Sequence, residues 1–183
     1  AKLTIASGPF LTAGGYLRHR GALHLGRGEW PELPNGVESR RVAREEIAAI
    51  VPGVRPEWDH ALFEPDCADI DVARLHAAYL AAFGRAQGIV RTGCALVWAE
   101  YAEGVWTAGL ADGSQVNGAI LVNAAGAWAD PVAEACGVRP LGFRPRRRTM
   151  LQLRVGRTGL KDLPLVDDWR GSFYLKGEGD NQV

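Results

Sequence analysis

Two stretches of this sequence combine residue types and spacings that could do chemistry. The first is AILVNAAGAWAD at 119–130, where four apolar residues run into Asn123, then Ala124, Ala125 and Gly126, then an amphipathic segment from Trp128. That order predicts a strand, a tight turn and a helix. Small side chains at such a turn let backbone N–H groups approach a nucleotide. No G-x-G-x-x-G pattern accompanies it to hold a pyrophosphate. The second stretch is RPRRR, which sets Arg144, Arg146, Arg147 and Arg148 together. By itself this cluster is a solvated basic face or a weak phosphate-binding patch. It lacks the interleaved aromatic residues and the net positive charge that nucleic-acid binding uses.

Other chemistries find less footing. Ser7, Ser39, Ser114 and Ser172 all lie outside a G-x-S-x-G context, which argues against a hydrolase. His76 has no second ligand at metal spacing and reads as a surface or partly buried helix residue. Cys67, Cys94 and Cys136 are odd in number and form no CxxC, so they read as buried free thiols in a reducing cytoplasm. The 21 basic and 21 acidic residues cancel, leaving no global field to recruit nucleic acid or anionic membrane. No apolar run approaches the roughly 18 residues of a membrane span. The first residues, AKLTIASGPF, also lack the order of a secretory signal. These features predict a cytoplasmic protein that does not span a membrane.

The elements that would position the two stretches follow from periodicity. The 183 residues are ample for a buried core. Alternation from Tyr16 to Leu25 predicts one or two strands, and PELPNG predicts a turn or loop. SRRVAREEIAAIVPG predicts a helix capped by Ser39, with Val42, Ile47 and Ile50 as its apolar stripe and Pro52-Gly53 as its stop. A loop through VRPEWDHALFEPDC follows. DIDVARLHAAYLAAFGRAQG predicts a helix opened by Asp69 or Asp71 and closed by Gly88, with Val72, Leu75, Ala78, Tyr79, Ala82 and Phe83 on one face. IVRTGCALVWAEYAEG, GVWTAGLADG and QVNGAILVNA predict a three-stranded meander turning at Glu103-Gly104 and Ala111-Asp112-Gly113. A helix from about Ala127 to Cys136, a proline-broken loop, a strand through MLQLRV and a last strand at SFYLK complete the chain. The fold class that fits this order is α+β, a mixed and largely antiparallel sheet with flanking helices.

ILVNAAGAWAD, AEACGVRPLGFRPRRR, ADIDVARLHAAYLAAFGRAQG and SFYLK, in their order and spacing, resemble the D-amino-acid oxidase/dehydrogenase superfamily of FAD-dependent oxidoreductases. Within it the similarity is nearest to bacterial D-arginine, or broad D-amino-acid, dehydrogenases. It spans roughly residues 40 to 176. In that family the glycine-rich dinucleotide motif stands at the far N-terminus and further flavin-binding residues near the C-terminus. The resemblance therefore implies an internal piece of a two-domain flavoenzyme. Residues 1–88 and 141–183 would belong to a substrate-binding domain, and 89–140 would be a strip of the FAD-binding domain. Exposed sheet edges of such a piece are sites for self-association.

The resemblance also implies roles. Ala95 and the Ala124-Ala125-Gly126 turn match backbone positions that contact FAD. Arg148 matches an arginine facing the substrate, where a forked guanidinium suits an amino-acid carboxylate. Tyr174, otherwise a packed strand tyrosine with a polar tip, matches a substrate-facing tyrosine. The implied reaction transfers the substrate's α-hydrogen to flavin as hydride and leaves an imino acid, so the protein need only bind, orient and exclude water. No side chain is assigned as catalytic, and the isolated piece is expected to be inactive. Ala22 stands where a relative choosing cationic side chains would carry a carboxylate, which favours smaller or apolar D-amino acids, or amines such as glycine, sarcosine or proline. The electron acceptor stays open between oxygen and a quinone or respiratory chain, the last of which would make the protein membrane-peripheral. The alternative from another class is a non-catalytic module that binds a small carboxylate through Arg148.

Overall fold

The computed structural model describes residues 15–30 and 36–183. The expectations for the first fourteen residues and for most of PELPNG lie outside the described residues. The chain divides into two compact units, one running through Ala82 and resuming at Leu151–Val183, the other Phe83–Met150.

The first unit is built on a five-stranded sheet. Its strands are β2 (Ala22–Gly26), β3 (Arg40–Ala43), β4 (His60–Glu64), β9 (Leu165–Asp168) and β10 (Tyr174–Leu175), in the order β10-β9-β2-β4-β3. All pairings are antiparallel except β2 with β9, which is parallel. Two shorter strands, β1 (Leu17–His19) and β5 (Ala68–Ile70), form a separate ribbon. One face of the sheet carries the core: Leu23 and Leu25 from β2, Ala61 from β4, Val42 from β3 and Val166 from β9. Helix α1 (Arg44–Ile50) closes this face with Ile47, and Trp58 seals it. The strand period of two sends the alternate residues, among them Ala22, His24, Glu64, Asp167 and Tyr174, to the opposite face.

Three expectations for this unit change. The helix predicted from Ser39 is a strand for its first third, because Val42 pairs with Ala61 and is fully buried in the sheet. Helix α1 then starts after Ala43 with no side-chain cap. The segment expected as loop before Cys67 holds β4, the strand that joins β2 to β3. The strand expected at MLQLRV reduces to an isolated bridge between Arg154 and Gln182, supported by backbone bonds that Leu153 exchanges with Val183. SFYLK forms β10 as expected, and β9 just before it was not foreseen.

Helix α2 (Val72–Arg85) starts where Asp71 accepts the amide of Arg74 at 3.0 Å. It ends with Gln87 in the left-handed region and Gly88 N–H on the Phe83 carbonyl. The predicted apolar face is present in the sequence but not covered. Leu75, Ala78 and Ala82 are half-buried, while Val72, Tyr79 and Phe83 are exposed. His76 is exposed. No helix among the described residues is long and apolar enough to cross a membrane.

The second unit is the predicted meander: β6 (Leu96–Ala102), β7 (Val105–Leu110) and β8 (Gln115–Gly118). Glu103 and Gly104 both have positive φ, the geometry of a tight two-residue hairpin turn. The strand expected to run on to Asn123 stops at Gly118. Residues 119–123 make no ladder, and Ile120 and Val122 are 81% and 79% exposed. An apolar run of this kind suits a strand covered on both faces, and among the described residues no strand pairs with it. Beyond it come a 3-10 turn, Gly126–Trp128, and helix α3 (Ala129–Ala135), which ends at Gly137 in the left-handed region. Cys136 is buried here, while Cys67 and Cys94 are only partly so, against the expectation of three buried thiols.

Candidate functional site

In the second unit, Asn123 shapes the turn that follows it. Its side-chain oxygen accepts the Ala125 amide at 3.2 Å, and its Nδ2 donates to the Ala129 carbonyl at 2.8 Å. One side chain thus spans the turn and ties it to the first residue of α3. Ala124 and Gly126 are exposed and Ala125 is half-buried. Gly126 has φ +57, and the space a Cβ would occupy there is empty to beyond 4 Å. Small residues therefore leave this backbone approachable from outside. Ala95 is also exposed, and its carbonyl accepts the Ala111 amide at 2.8 Å. Leu96 and Leu121, the neighbours of these two segments, pack on the same small cluster of Ala99, Ala108 and Cys136.

Arg148 belongs to this second unit and is exposed, as are Arg144, Arg146 and Arg147. The segment that carries them, from Val138 onward, has no regular secondary structure. Its beginning is held by Asp130. The amides of Leu141, Gly142 and Phe143 all donate to that carboxylate, at 3.0, 2.8 and 2.8 Å.

Tyr174 belongs to the first unit, at the sheet edge. Its register partner is Asp167, and Leu175, its neighbour, turns into the core. Tyr174 therefore lies on the sheet face away from α1. Arg20 anchors that strand's exit: its buried guanidinium donates to Asp69 at 2.8 Å and to the carbonyls of Leu163 and Gly177 at 3.0 and 2.9 Å.

The same face carries a group that sequence reading missed. His24 Nδ1 lies 2.9 Å from Asp167 and Nε2 lies 3.4 Å from Glu64, so one imidazole bridges carboxylates on both flanking strands. The bond to Asp167 is the main cause that holds the imidazolium, against burial, above its ordinary pKa. Ala22 is buried, and its register partner is Glu64. The Cys67 thiol is pushed up by burial and by Glu64, Asp69 and Asp167. In the second unit Asp112 is drawn down to about 2 by Ser114, which donates both its hydroxyl and its amide, and by the Cys94 thiol.

Of the sequence-predicted residues, Ala95, Ala124, Ala125, Gly126 and Arg148 share the second unit, and Tyr174 stands in the first. Asn123, Asp130 and the His24 cluster are additions. Asn123 had a usable signal, since Asn before small residues shapes turns. Asp130 and His24 had none, because their partners are remote in sequence.

The family model for FAD dependent oxidoreductases matches residues 11–183. Among solved structures, the fold is similar to glycine oxidase from Geobacillus kaustophilus, with a TM-score of 0.66, 15% identity, and coverage of 91% of this chain and 46% of that one. L-proline dehydrogenase from P. horikoshii gives 0.69, 15%, 94% and 50%. Iminodiacetate oxidase from Chelativorans sp. BNC1 gives 0.56, 19%, 91% and 47%. The chain thus spans about half the length of the solved structures it matches.

Proposed function

The chain belongs to the FAD-dependent oxidoreductase family, and we propose that the whole protein oxidises a D-amino acid, or a related amine such as glycine, sarcosine or proline, to an imino acid. The observation that carries the reading is the family match across residues 11–183. Support comes from structural neighbours whose names specify glycine, L-proline and iminodiacetate as substrates, all secondary or primary amines bearing a carboxylate. We also assign residues 89–140 to the flavin-binding side, and residues 1–88 and 141–183, with Arg148 and Tyr174, to the substrate side. Ala22 offers a cationic side chain no carboxylate, so the smaller and apolar amino acids of this range are favoured over D-arginine.

The turn at 124–126 fits a flavin nucleotide. Ala124 and Gly126 are exposed, no side chain in the turn is larger than a methyl group, and Asn123 ties it to α3. In this reading Ala95, Ala124, Ala125 and Gly126 would lie against FAD. Bound FAD would supply the hydride acceptor. Arg148 binds the substrate carboxylate through its two-pronged guanidinium, which fixes the substrate's orientation. The Tyr174 hydroxyl donates a hydrogen bond to the substrate, and neither residue exchanges a proton in the redox step.

The test uses the full-length protein loaded with FAD and a dye-linked assay over D-alanine, D-lysine, glycine, sarcosine and proline. Arg148→Lys, which loses the fork, is expected to raise KM about 100-fold. Tyr174→Phe is expected to lower kcat/KM about tenfold through one lost hydrogen bond. Turnover of none of these amines, or Arg148→Lys without effect, would overturn the reading. The 183-residue piece alone is expected to show no turnover.

A further inference from the structure

Asp130 does more than begin a helix. It is the second residue of α3, and its carboxylate accepts three successive amides from a loop eleven to thirteen residues downstream. Gly142, in the middle of that loop, has φ +84, a conformation that turns consecutive N–H groups toward one point. Concave runs of N–H groups of this kind bind anions. Here the anion is the protein's own side chain. Three donors to one carboxylate far exceed what a surface aspartate needs for solubility, and they hold the loop at one point.

The position of this clamp gives it a consequence. On its N-terminal side, the Asn123 bond to the Ala129 carbonyl joins α3 to the Ala124–Gly126 turn. On the other side, Phe143 is five residues from Arg148, with Pro145 between them restricting the chain. Five residues reach at most about 18 Å. We propose that Asp130 is a positioning residue for substrate-carboxylate binding: it locks the loop that presents Arg148 to the helix that follows the flavin-side turn. The inference rests on the reading of Arg148 above. Asp130 touches neither substrate nor cofactor and acts through the loop.

The test is the affinity of the full-length FAD-loaded protein for propionate, a carboxylate with no amine to oxidise, followed by the change in flavin absorbance. Asp130→Asn places an amide N–H₂ among N–H donors and is expected to weaken propionate binding at least tenfold. The KM for D-alanine should rise in parallel while kcat changes less than threefold. Gly142→Ala disturbs the loop from the other side, by forcing an L residue into φ +84, and should weaken propionate by about threefold or more. Should Asp130→Asn fail to fold with flavin, Gly142→Ala decides alone. Propionate affinity within twofold of wild type in the folded variants overturns the inference. Arg148→Met separates the two levels. If it weakens propionate while the Asp130 and Gly142 variants do not, only the clamp falls. If Arg148→Met has no effect, the carboxylate reading falls and the clamp's role with it.

Discussion

The two units of this chain bury apolar surface in opposite ways. The first closes a core of Leu23, Leu25, Val42, Ile47, Trp58, Ala61 and Val166 between a five-stranded sheet and a short helix. The second buries only Ala99, Ala108 and Cys136, all small, and leaves Ile89, Ile120, Val122, Trp128 and Leu141 largely exposed. Contiguous exposed apolar side chains mark a surface that another surface covers. The first unit thus has a closed core of its own, although it also leaves Val72, Tyr79 and Leu151 exposed, while the second closes no comparable core. The contrast suits the assignment proposed above, in which residues 89–140 are a strip of a larger flavin-binding layer.

The largest effect expected from this difference is on stability. Leu23→Ala removes a fully buried side chain from the sheet centre and should cost about 3 kcal/mol. Ile120→Ser removes an equally apolar residue from the second unit. In the isolated 183-residue chain it should cost less than about 0.5 kcal/mol, as surface changes do. On the proposed assignment the Ile120 change becomes costly in the full-length protein, where the rest of the flavin-binding layer would cover it. Urea unfolding of both variants in both contexts measures this. Equal costs in the isolated chain would break the comparison.

Legibility in the sequence follows the same division. The meander and α2 could be read because turn chemistry and helical period are local signals, and the turns at Glu103-Gly104 and Asp112-Gly113 formed as expected. Strands β3, β4 and β9 could not, since each is a strand by virtue of its neighbours. β3 looked helical because Val42 falls in helical phase with Ile50, eight residues on, which is itself three residues from Ile47. β9 was hidden by Asp167 and Asp168, two acids in a four-residue strand. Their reasons are tertiary: Asp167 holds His24, and buried Asp168 accepts the Ser172 hydroxyl and the Arg170 amide. At the site, Arg148 and Tyr174 could be singled out only through resemblance to a family. Asn123 was legible through the preference of Asn for turns, whereas Asp130 acts on backbone amides that no residue type elsewhere marks.

His24 gives the first unit a pH dependence of definite sign. Its pKa is raised in the folded protein, chiefly by the Asp167 bond, so the stabilisation is complete below about 6.5, its ordinary value. It is lost as pH rises through the higher folded value, when two carboxylates on β9 and β4 are left flanking a neutral ring. Thermal unfolding of the full-length protein should therefore move to lower temperature from pH 6 to pH 9. His24→Gln should be less stable at pH 6 and lack that part of the slope. Identical slopes for the two proteins would remove His24 from the account.

The second unit should respond to acid at its hairpin, and by the smallest amount. Asp112 sits in the β7–β8 turn with Ser114 donating to it through hydroxyl and amide at 2.5 and 3.0 Å, and Arg91 at 2.8 Å. Its pKa, lowered from 3.8 to about 2, means the carboxylate supports the turn fully above its ordinary value. The support goes as pH falls through about 2, when the protonated acid no longer accepts both bonds. The group is fully exposed, so the effect is confined to the hairpin. Amides of Leu110 and Ser114 should lose exchange protection between pH 4 and 2, and Asp112→Ala should show that loss already at pH 6. Protection that follows the first unit's unfolding instead would mean that the two regions share one cooperative core, and the contrast between them would have to be given up.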